Sequence, residues 1–260
     1  MLKRKDSAFA QGTKRNHVSQ IRLYLSFCIR FGLKEIDPST DTICIFIEFL
    51  AQHMKSPKSV TNYLSAVRFL HKWLGVTAPA LESFEVTLLI RACYYTMDHV
   101  PLQRRPLTPE LIRKLLSAAQ SIVPNFPIFK CAVLLSFFGF LRMSNMTPRT
   151  SASFDPRKHT CRGDVFHADP GLVILLKWSK TNQYGQKTEL VPIPTTQDPE
   201  FCPVVAYNQM VDLAPTLSPN QPLLSLTEPG KELIPVHPDW LARQLARSLQ
   251  AIGECPALYS

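Results

Sequence analysis

The amino-acid sequence predicts an α+β protein that is mainly α-helical and contains one small antiparallel β-sheet. Apolar residues recur at three- and four-residue spacing over much of the first 141 positions, which is the period of a helix face. Between positions 164 and 194 the pattern changes to short β-rich runs separated by turn residues, and helical spacing then returns. With 45% hydrophobic residues among 260, the chain can build one large core or two of ordinary size.

Four helices are predicted in the first part of the chain, most of them with a start or stop signal. They cover positions 14–31 before Gly32, 43–54 behind a cap at Ser39 or Thr40, 57–74 between Ser56 and Gly75, and 81–97. A serine before the first turn can accept a backbone N–H, and glycine suits the left-handed residue that ends a helix. Together they predict a compact helical domain, residues 14–98, behind a basic tail, residues 1–13.

The positive charge is concentrated in this helical part. The net charge is +9, and residues 1–107 carry 15 Lys and Arg against 8 Asp and Glu, whereas residues 108–260 carry 14 against 12. Such a bias indicates a polyanionic partner, above all nucleic acid. The polar face of the third helix could contact phosphates or simply be solvated, and it consists of Lys58, Asn62, Ser65, Arg68 and Lys72.

The second part of the chain begins after a predicted linker, residues 99–107, which contains two prolines and the pair Arg104 and Arg105. Thr108 and Pro109 then open a helix and with it the second domain, residues 108–260. Its later elements are predicted as three antiparallel strands within 164–194, a helix over 201–213, a small hairpin around Gly230 and a helix over 237–252.

An apolar stretch from position 129 to 141 ends on Arg142 and marks the candidate functional centre. A buried arginine is costly unless it meets an anion, and its planar fork suits phosphate or carboxylate oxygens. The sequence therefore predicts a buried guanidinium that binds an anion. Two structural alternatives stay open, namely a pair with an internal carboxylate and a cap on the last carbonyls of its own helix. Lys180, at the end of the second strand, is a second candidate cation.

Composition argues against several other classes of protein. No apolar run reaches the length of a membrane span, and the N-terminus lacks the apolar segment of a secretory signal, so we expect an intracellular protein without a membrane partner. The seven cysteines include no C-x-x-C pair and are expected to be free thiols. A zinc site made by His159, Cys161 and His167 would have no fourth ligand nearby, and we expect no metal there.

The order of these elements resembles the tyrosine recombinase (phage integrase) family, and most closely the integrases of eukaryotic tyrosine-recombinase transposons. Residues 14–98 are similar to the family's SAM-like core-binding domain, which clamps DNA, and residues 108–260 are similar to part of its catalytic domain. The family's G-x-R-x-S motif, with one residue more between glycine and arginine, is matched by Gly139, Leu141, Arg142 and Ser144. Asn145 stands where the family usually has an acid.

The resemblance implies DNA strand transfer through a phosphotyrosyl intermediate, without a metal or other cofactor. In this chemistry Arg142 would hold the non-bridging phosphate oxygens, and Lys180 would protonate the departing 5′ oxygen. The implied partner is double-stranded DNA, on which a homo-oligomer could assemble, and the implied setting is a nucleus. The residues that we expect to contact DNA are Lys14, Arg15, Lys58, Asn62, Arg68, Lys72, Arg104 and Arg105.

The C-terminal part departs from the family. The family's His-x-x-Arg box and nucleophilic tyrosine follow the helix that is predicted to end at Ile252, and the 260 residues contain neither. His237 has Trp240 where the arginine would stand, and Tyr207 and Tyr259 do not follow such a box. We therefore expect a C-terminally truncated recombinase that binds DNA without cutting it. The alternatives are a DNA-binding regulatory protein without catalysis and a helical protein-interaction module.

Overall fold

The computed structural model describes residues 8–9, 11–179, 182, 187–215, 217–226 and 233–259. The chain forms two compact units, Met1–Leu102 and Gln103–Ser260, which we call unit 1 and unit 2. The division falls within residues 99–107. None of the helices among the described residues is long and apolar enough to cross a bilayer.

Unit 1 is helical, and the four predicted helices are confirmed. Their bounds are α1 Gln11–Phe31, α2 Thr40–His53, α3 Pro57–Leu74 and α4 Phe84–Thr96, with a 3₁₀ turn at Pro79–Glu82 before α4. Helix α1 packs against α3, and α2 packs against α4. The apolar faces of these helices meet in one core, in which the largest fully buried side chains are Tyr24, Ile43, Phe46, Ile47, Leu50 and Leu64.

The ends of these helices follow from local side-chain chemistry. Ser39 and Ser56 each accept a backbone N–H from the first turn of the helix that follows. Gly75 ends α3 in the left-handed region at φ 71°, where a side chain would be strained. The fourth helix begins at Phe84, three residues later than predicted, because Ser83 caps it and Leu81 belongs to the 3₁₀ turn.

Unit 2 combines helices with two small sheets. Its elements are α5 Pro109–Ile122, α6 Phe126–Gly139, α7 Met143–Met146, β1 Val165–Ala168, β2 Gly171–Leu176, β3 Glu189–Pro194, α8 Pro203–Asp212, β4 Ser225–Leu226, β5 Ile234–Pro235 and α9 Pro238–Ala251. Short 3₁₀ turns lie at Ser151–Ser153, Arg162–Asp164, Pro199–Phe201 and Pro256–Leu258. The predicted combination of helices with a small antiparallel sheet is confirmed.

The three-stranded sheet has the order β1-β2-β3, and both pairings are antiparallel. Burial alternates along β2, so that Leu172, Ile174 and Leu176 point into the core. The second predicted hairpin is also present, since Ser225 pairs with Pro235 and Leu226 with Ile234. Its expected turn at Gly230 lies outside the described residues.

Helix α6 lies at the centre of unit 2, and it is apolar nearly all round because other elements cover it. It packs against α8, β3 and α5, and Phe129, Leu134 and Leu135 are fully buried. Lys130 is also buried, and its Nζ lies 3.1 Å from Oε2 of Glu200, which compensates the charge. The apolar pattern around Lys130 does not indicate this ion pair. The last helix starts at Pro238, one residue later than predicted, and the ring of His237 caps it by accepting the backbone N–H of Asp239.

Candidate nucleic-acid interface

The structure corrects the expected position of Arg142. Helix α6 ends at Gly139, Phe140 turns the chain in the left-handed region, and Arg142 precedes the short helix α7. Its side chain is exposed and not buried, because the apolar run ends in a turn instead of continuing as a helix up to the arginine. Among the described residues, no carboxylate lies within ion-pair distance of this guanidinium, so a pair with an internal carboxylate does not account for it there.

Asn145 holds the backbone of the Arg142 turn. Its Oδ1 accepts the N–H of Arg142 at 3.0 Å, and its Nδ2 donates to the carbonyl of Trp178 at 3.1 Å. The side chain is 4% exposed, so these bonds form away from solvent. An aspartate could replace the first bond but could not donate the second. The amide thus ties the Arg142 turn to the chain that leaves β2, two positions before Lys180.

Lys180 lies outside the described residues, but its flanks are ordered by hydrogen bonds. Ser179 and Asn182 exchange backbone hydrogen bonds of 3.4 and 3.1 Å, and the Ser179 hydroxyl also accepts the Asn182 N–H. Lys177, three positions earlier, has a structural role, since its Nζ lies 2.5 Å from Oδ2 of Asp164. The convergence of Arg142 and Lys180 on one phosphate stays a prediction.

A basic groove of about 590 Å³ lies between α1 and α3 in unit 1. It is lined by Lys14, Arg15, Val18, Ser19, Arg22, Leu23, Ser26 and Tyr63. Lys14 and Arg15 were expected to contact DNA, whereas Arg22 and Tyr63 were missed. The signal was present in the sequence: Arg15, Ser19, Arg22 and Ser26 recur at helical spacing and therefore share one face of α1. A groove with three cations and one aromatic ring suits a phosphodiester backbone.

The polar face of α3 consists of exposed residues and one arginine whose guanidinium already forms hydrogen bonds within unit 1. Lys58, Asn62 and Lys72 are exposed, and contact with DNA stays a prediction for them. Arg68 differs because its Nε donates to Oε1 of Glu82 at 2.6 Å and its Nη2 donates to the carbonyl of Leu81 at 3.2 Å. This arginine fastens the 3₁₀ turn to α3, so that binding a phosphate would require it to give up Glu82.

Arg104 and Arg105, which we expected in a linker, form hydrogen bonds inside unit 2. Nη1 of Arg104 donates to the carbonyl of Ala257, and the backbone N–H of Arg105 donates to the carbonyl of Leu258, both at 2.7 Å. The Arg105 guanidinium also lies 3.8 Å from the Glu254 carboxylate. Both arginines therefore hold the C-terminal segment, and their contact with DNA stays a prediction.

Neither tyrosine considered as a nucleophile is activated. The Tyr259 hydroxyl donates to Oε2 of Glu254 at 2.8 Å, and this hydrogen bond to a carboxylate raises the pKa of the phenol. Tyr207 is buried, and burial raises the pKa of its hydroxyl. A nucleophilic phenol needs the opposite shift or an adjacent base.

Within the described part of the chain, no three His, Cys, Asp or Glu side chains come close enough to hold a metal ion. The thiol of Cys161 lies 3.5 Å from the carbonyl of His159 and 3.7 Å from Nζ of Lys177. The His159 ring forms a different hydrogen bond, in which its Nδ1 accepts the backbone N–H of Asp155 at 3.0 Å.

Comparison with solved structures identifies the fold. A crystal structure of a lambda integrase dimer bound to a COC′ core site matches 94% of this chain and 59% of its own, with a TM-score of 0.53 and 16% identity. A structure of lambda integrase residues 75–356, also a dimer on a COC′ core site, matches 97% of this chain and 77% of its own, with a TM-score of 0.55 and 17% identity. This chain has the lambda integrase fold.

The integrase fold agrees with the fold that the resemblance of the sequence to tyrosine recombinases implied. The chain spans about three fifths of the length of the first integrase structure. At this identity the likeness establishes the fold alone. No protein-family model matches the sequence, and no curated protein matches it.

Proposed function

We propose that this chain is a DNA-binding protein of the tyrosine recombinase superfamily. The observation that carries the proposal is the Arg142 turn, where an exposed guanidinium is displayed by a backbone that the buried Asn145 amide holds. An arginine on an ordered turn, which no carboxylate of the described residues neutralises, suits a phosphate oxygen. The two lambda integrase structures that share the fold are complexes with a DNA core site, which supports the same class of partner.

Unit 1 contributes the second contact surface in this proposal. The groove between α1 and α3 combines Lys14, Arg15 and Arg22 with the ring of Tyr63. Cations along a groove neutralise successive phosphates, and this makes binding strongly dependent on salt. Lys58, Asn62 and Lys72 extend the polar surface along α3. These contacts are to the backbone of double-stranded DNA and carry little sequence information.

The finer assignments follow the resemblance. Arg142 and Lys180 form a partial recombinase site, descended from an enzyme of eukaryotic transposon type, in which the second arginine, the histidine and the tyrosine are not supplied by residues 1–260. The chain then acts as a DNA-binding protein in a nucleus. The hydrogen bond of Tyr259 to Glu254 and the burial of Tyr207 support binding without strand cleavage.

One observation favours an additional protein partner. Helix α4 exposes four large side chains, Phe84, Leu88, Tyr94 and Tyr95, with exposed fractions of 71%, 45%, 55% and 86%. Phe84, Leu88 and Tyr95 recur at helical spacing. Such residues are typical of an interaction surface. A second copy of the chain on DNA would be one occupant, and sedimentation with and without duplex DNA measures whether a dimer forms.

A salt titration of duplex DNA binding tests the proposed function. We expect the logarithm of the association constant to fall linearly with the logarithm of salt concentration, with a slope that reflects several phosphate contacts. A chain that does not bind duplex DNA at low salt would refute the proposal. Binding with a flat salt dependence would also contradict it.

Removing the guanidinium of Arg142 tests its role separately from its effect on stability. Arg142→Ala is expected to lower DNA affinity roughly tenfold, the size of one lost charge-assisted contact, and to leave the Tm unchanged because the side chain is exposed. Arg157→Ala is the matched control, since it removes an exposed arginine that pairs with Asp155. Equal losses in the two variants would assign the effect to net charge.

A nicked suicide duplex tests whether the chain cuts DNA. We expect no protein–DNA band that survives denaturant, because neither Tyr207 nor Tyr259 has the environment of an activated nucleophile. A band that appears and is lost in Tyr259→Phe would show that this tyrosine attacks DNA and that our assignment of the C-terminal segment is wrong.

A further inference from the structure

Phe140 is an exposed aromatic residue in a backbone conformation that favours glycine. It follows the last residue of α6 with φ 49° and ψ 34°, and its side chain is 93% exposed. Glycine is the usual residue at this position because a Cβ crowds the neighbouring carbonyl. The phenylalanine therefore introduces strain, and its ring gains almost no burial in return. A residue that costs stability without packing is a candidate for a role in binding.

The backbone beneath Phe140 is fixed by its neighbours. A Cβ at Gly139 would lie 2.8 Å from Cδ1 of Ile193, so α6 ends in close contact with β3. Leu141, on the other side, is 8% exposed and belongs to the core. The N–H groups of Phe140 and Leu141 both donate to the carbonyl of Ser136. The backbone that carries the exposed ring is thus fixed before any ligand arrives.

Phe140 lies beside the cation of the candidate site. Arg142 is two positions away, and two residues span at most about 7 Å. Both side chains are exposed and flank the buried Leu141. A ligand that places a phosphate at the guanidinium would bring its adjoining sugar and base within reach of the ring. Positive charge next to an apolar ring matches a nucleotide, which combines an anionic phosphate with a flat aromatic base.

We propose that Phe140 stacks on a nucleobase next to the phosphate bound by Arg142. This inference rests on the proposed DNA-binding function. It goes beyond that function because it assigns a base contact to a surface that otherwise contacts phosphates. Aromatic side chains stack on any exposed base, and those that enter a duplex partly unstack it. Phe140 therefore gives the chain a preference for DNA in which a base is already unstacked.

Two duplexes separate this contact from phosphate binding. One is intact, and the other carries a one-nucleotide gap with the fluorescent base 2-aminopurine at its edge. We expect the full chain to bind the gapped duplex more tightly and to quench the 2-aminopurine. Phe140→Gly should lose on the order of tenfold in affinity for the gapped duplex, little for the intact one, and all of the quenching. The slope of the salt dependence should stay unchanged because no phosphate contact is lost.

Two further variants and a melting measurement complete the test. Phe140→Tyr should keep the preference and the quenching, and Phe166→Ala, which removes a 44% exposed ring from β1, should leave both unchanged. The Tm of Phe140→Gly should equal or exceed that of the wild type, since the glycine relieves strain.

Three results would overturn the inference. They are unchanged quenching in Phe140→Gly, an equal loss on both duplexes with a shallower salt dependence, and a lower Tm in that variant. A wild-type chain that binds neither duplex would refute the proposed function, and this inference with it. Binding of the wild type with no effect of Phe140→Gly would refute this inference alone.

Discussion

Reversing two charges in the groove of unit 1, with Arg15→Glu and Arg22→Glu together, is expected to weaken duplex DNA binding on the order of 100-fold. Each substitution removes a candidate phosphate contact and adds a repulsive charge. The slope of the salt dependence should fall by about two, because two fewer counterions are released. Fluorescence anisotropy at four or five salt concentrations measures both quantities. The loss should be similar on unrelated sequences, because phosphate contacts carry no sequence information.

The control is a second double reversal with the same change in net charge. Lys55→Glu with Arg91→Glu alters two residues of unit 1 that do not line the groove, and Arg91 is exposed on α4. We expect it to cost less than tenfold, through long-range repulsion alone. If both doubles weaken binding equally, the groove has no special role. Arg68 is unsuitable for this test, since its reversal would also break the pair with Glu82.

Replacing Asn145 with alanine is expected to destabilise unit 2 by about 2–4 kcal/mol. The change leaves the N–H of Arg142 and the carbonyl of Trp178 without their partner in a buried position. For a unit of this size, that corresponds to a fall in Tm of roughly 6–12 °C. Asn208→Ala, an exposed asparagine on α8, is the matched control and should change the Tm little. Calorimetry of the full chain can follow both units.

Asn145→Asp separates the two hydrogen bonds of this amide. The carboxylate can still accept the N–H of Arg142 but has no donor for the carbonyl of Trp178, and it adds a charge in a buried site. We expect this variant to melt well below the wild type. An aspartate variant as stable as the wild type would mean that the bond to Trp178 contributes nothing.

Local signals in the sequence were sufficient to predict most helices and strands of the fold. Ser39, Ser56 and Thr108 cap the helices that they were expected to cap, and the turn at Pro170 joins two of the three predicted strands. Such signals work because capping and turn geometry involve residues only a few positions apart. The periodicity of apolar residues likewise predicted where the helices of unit 1 lie.

The environment of the candidate site depended on contacts that sequence spacing does not reveal. Arg142 was expected to be buried because the run before it is apolar, but one left-handed residue, Phe140, ends the helix and turns the chain outward. Arg68 looks like a member of an exposed basic face until the 3₁₀ turn brings Glu82 against it. The role of Asn145 depends on Trp178, 33 positions away. Among the residues that were not predicted, Arg22 could have been identified from the sequence, because it lies at helical spacing from Arg15 on one face of α1.

The close contact between α6 and β3 gives two neighbouring positions opposite tolerance to mutation. Any side chain at Gly139 has to displace Ile193, which is 1% exposed, whereas almost no atom limits the choice at Phe140. A variant library selected for folding alone should therefore retain glycine at 139 and enrich glycine or asparagine at 140. The same library selected for binding to gapped DNA should enrich aromatic residues at 140. Deep sequencing of both pools would separate the requirements of folding from those of binding at adjacent codons.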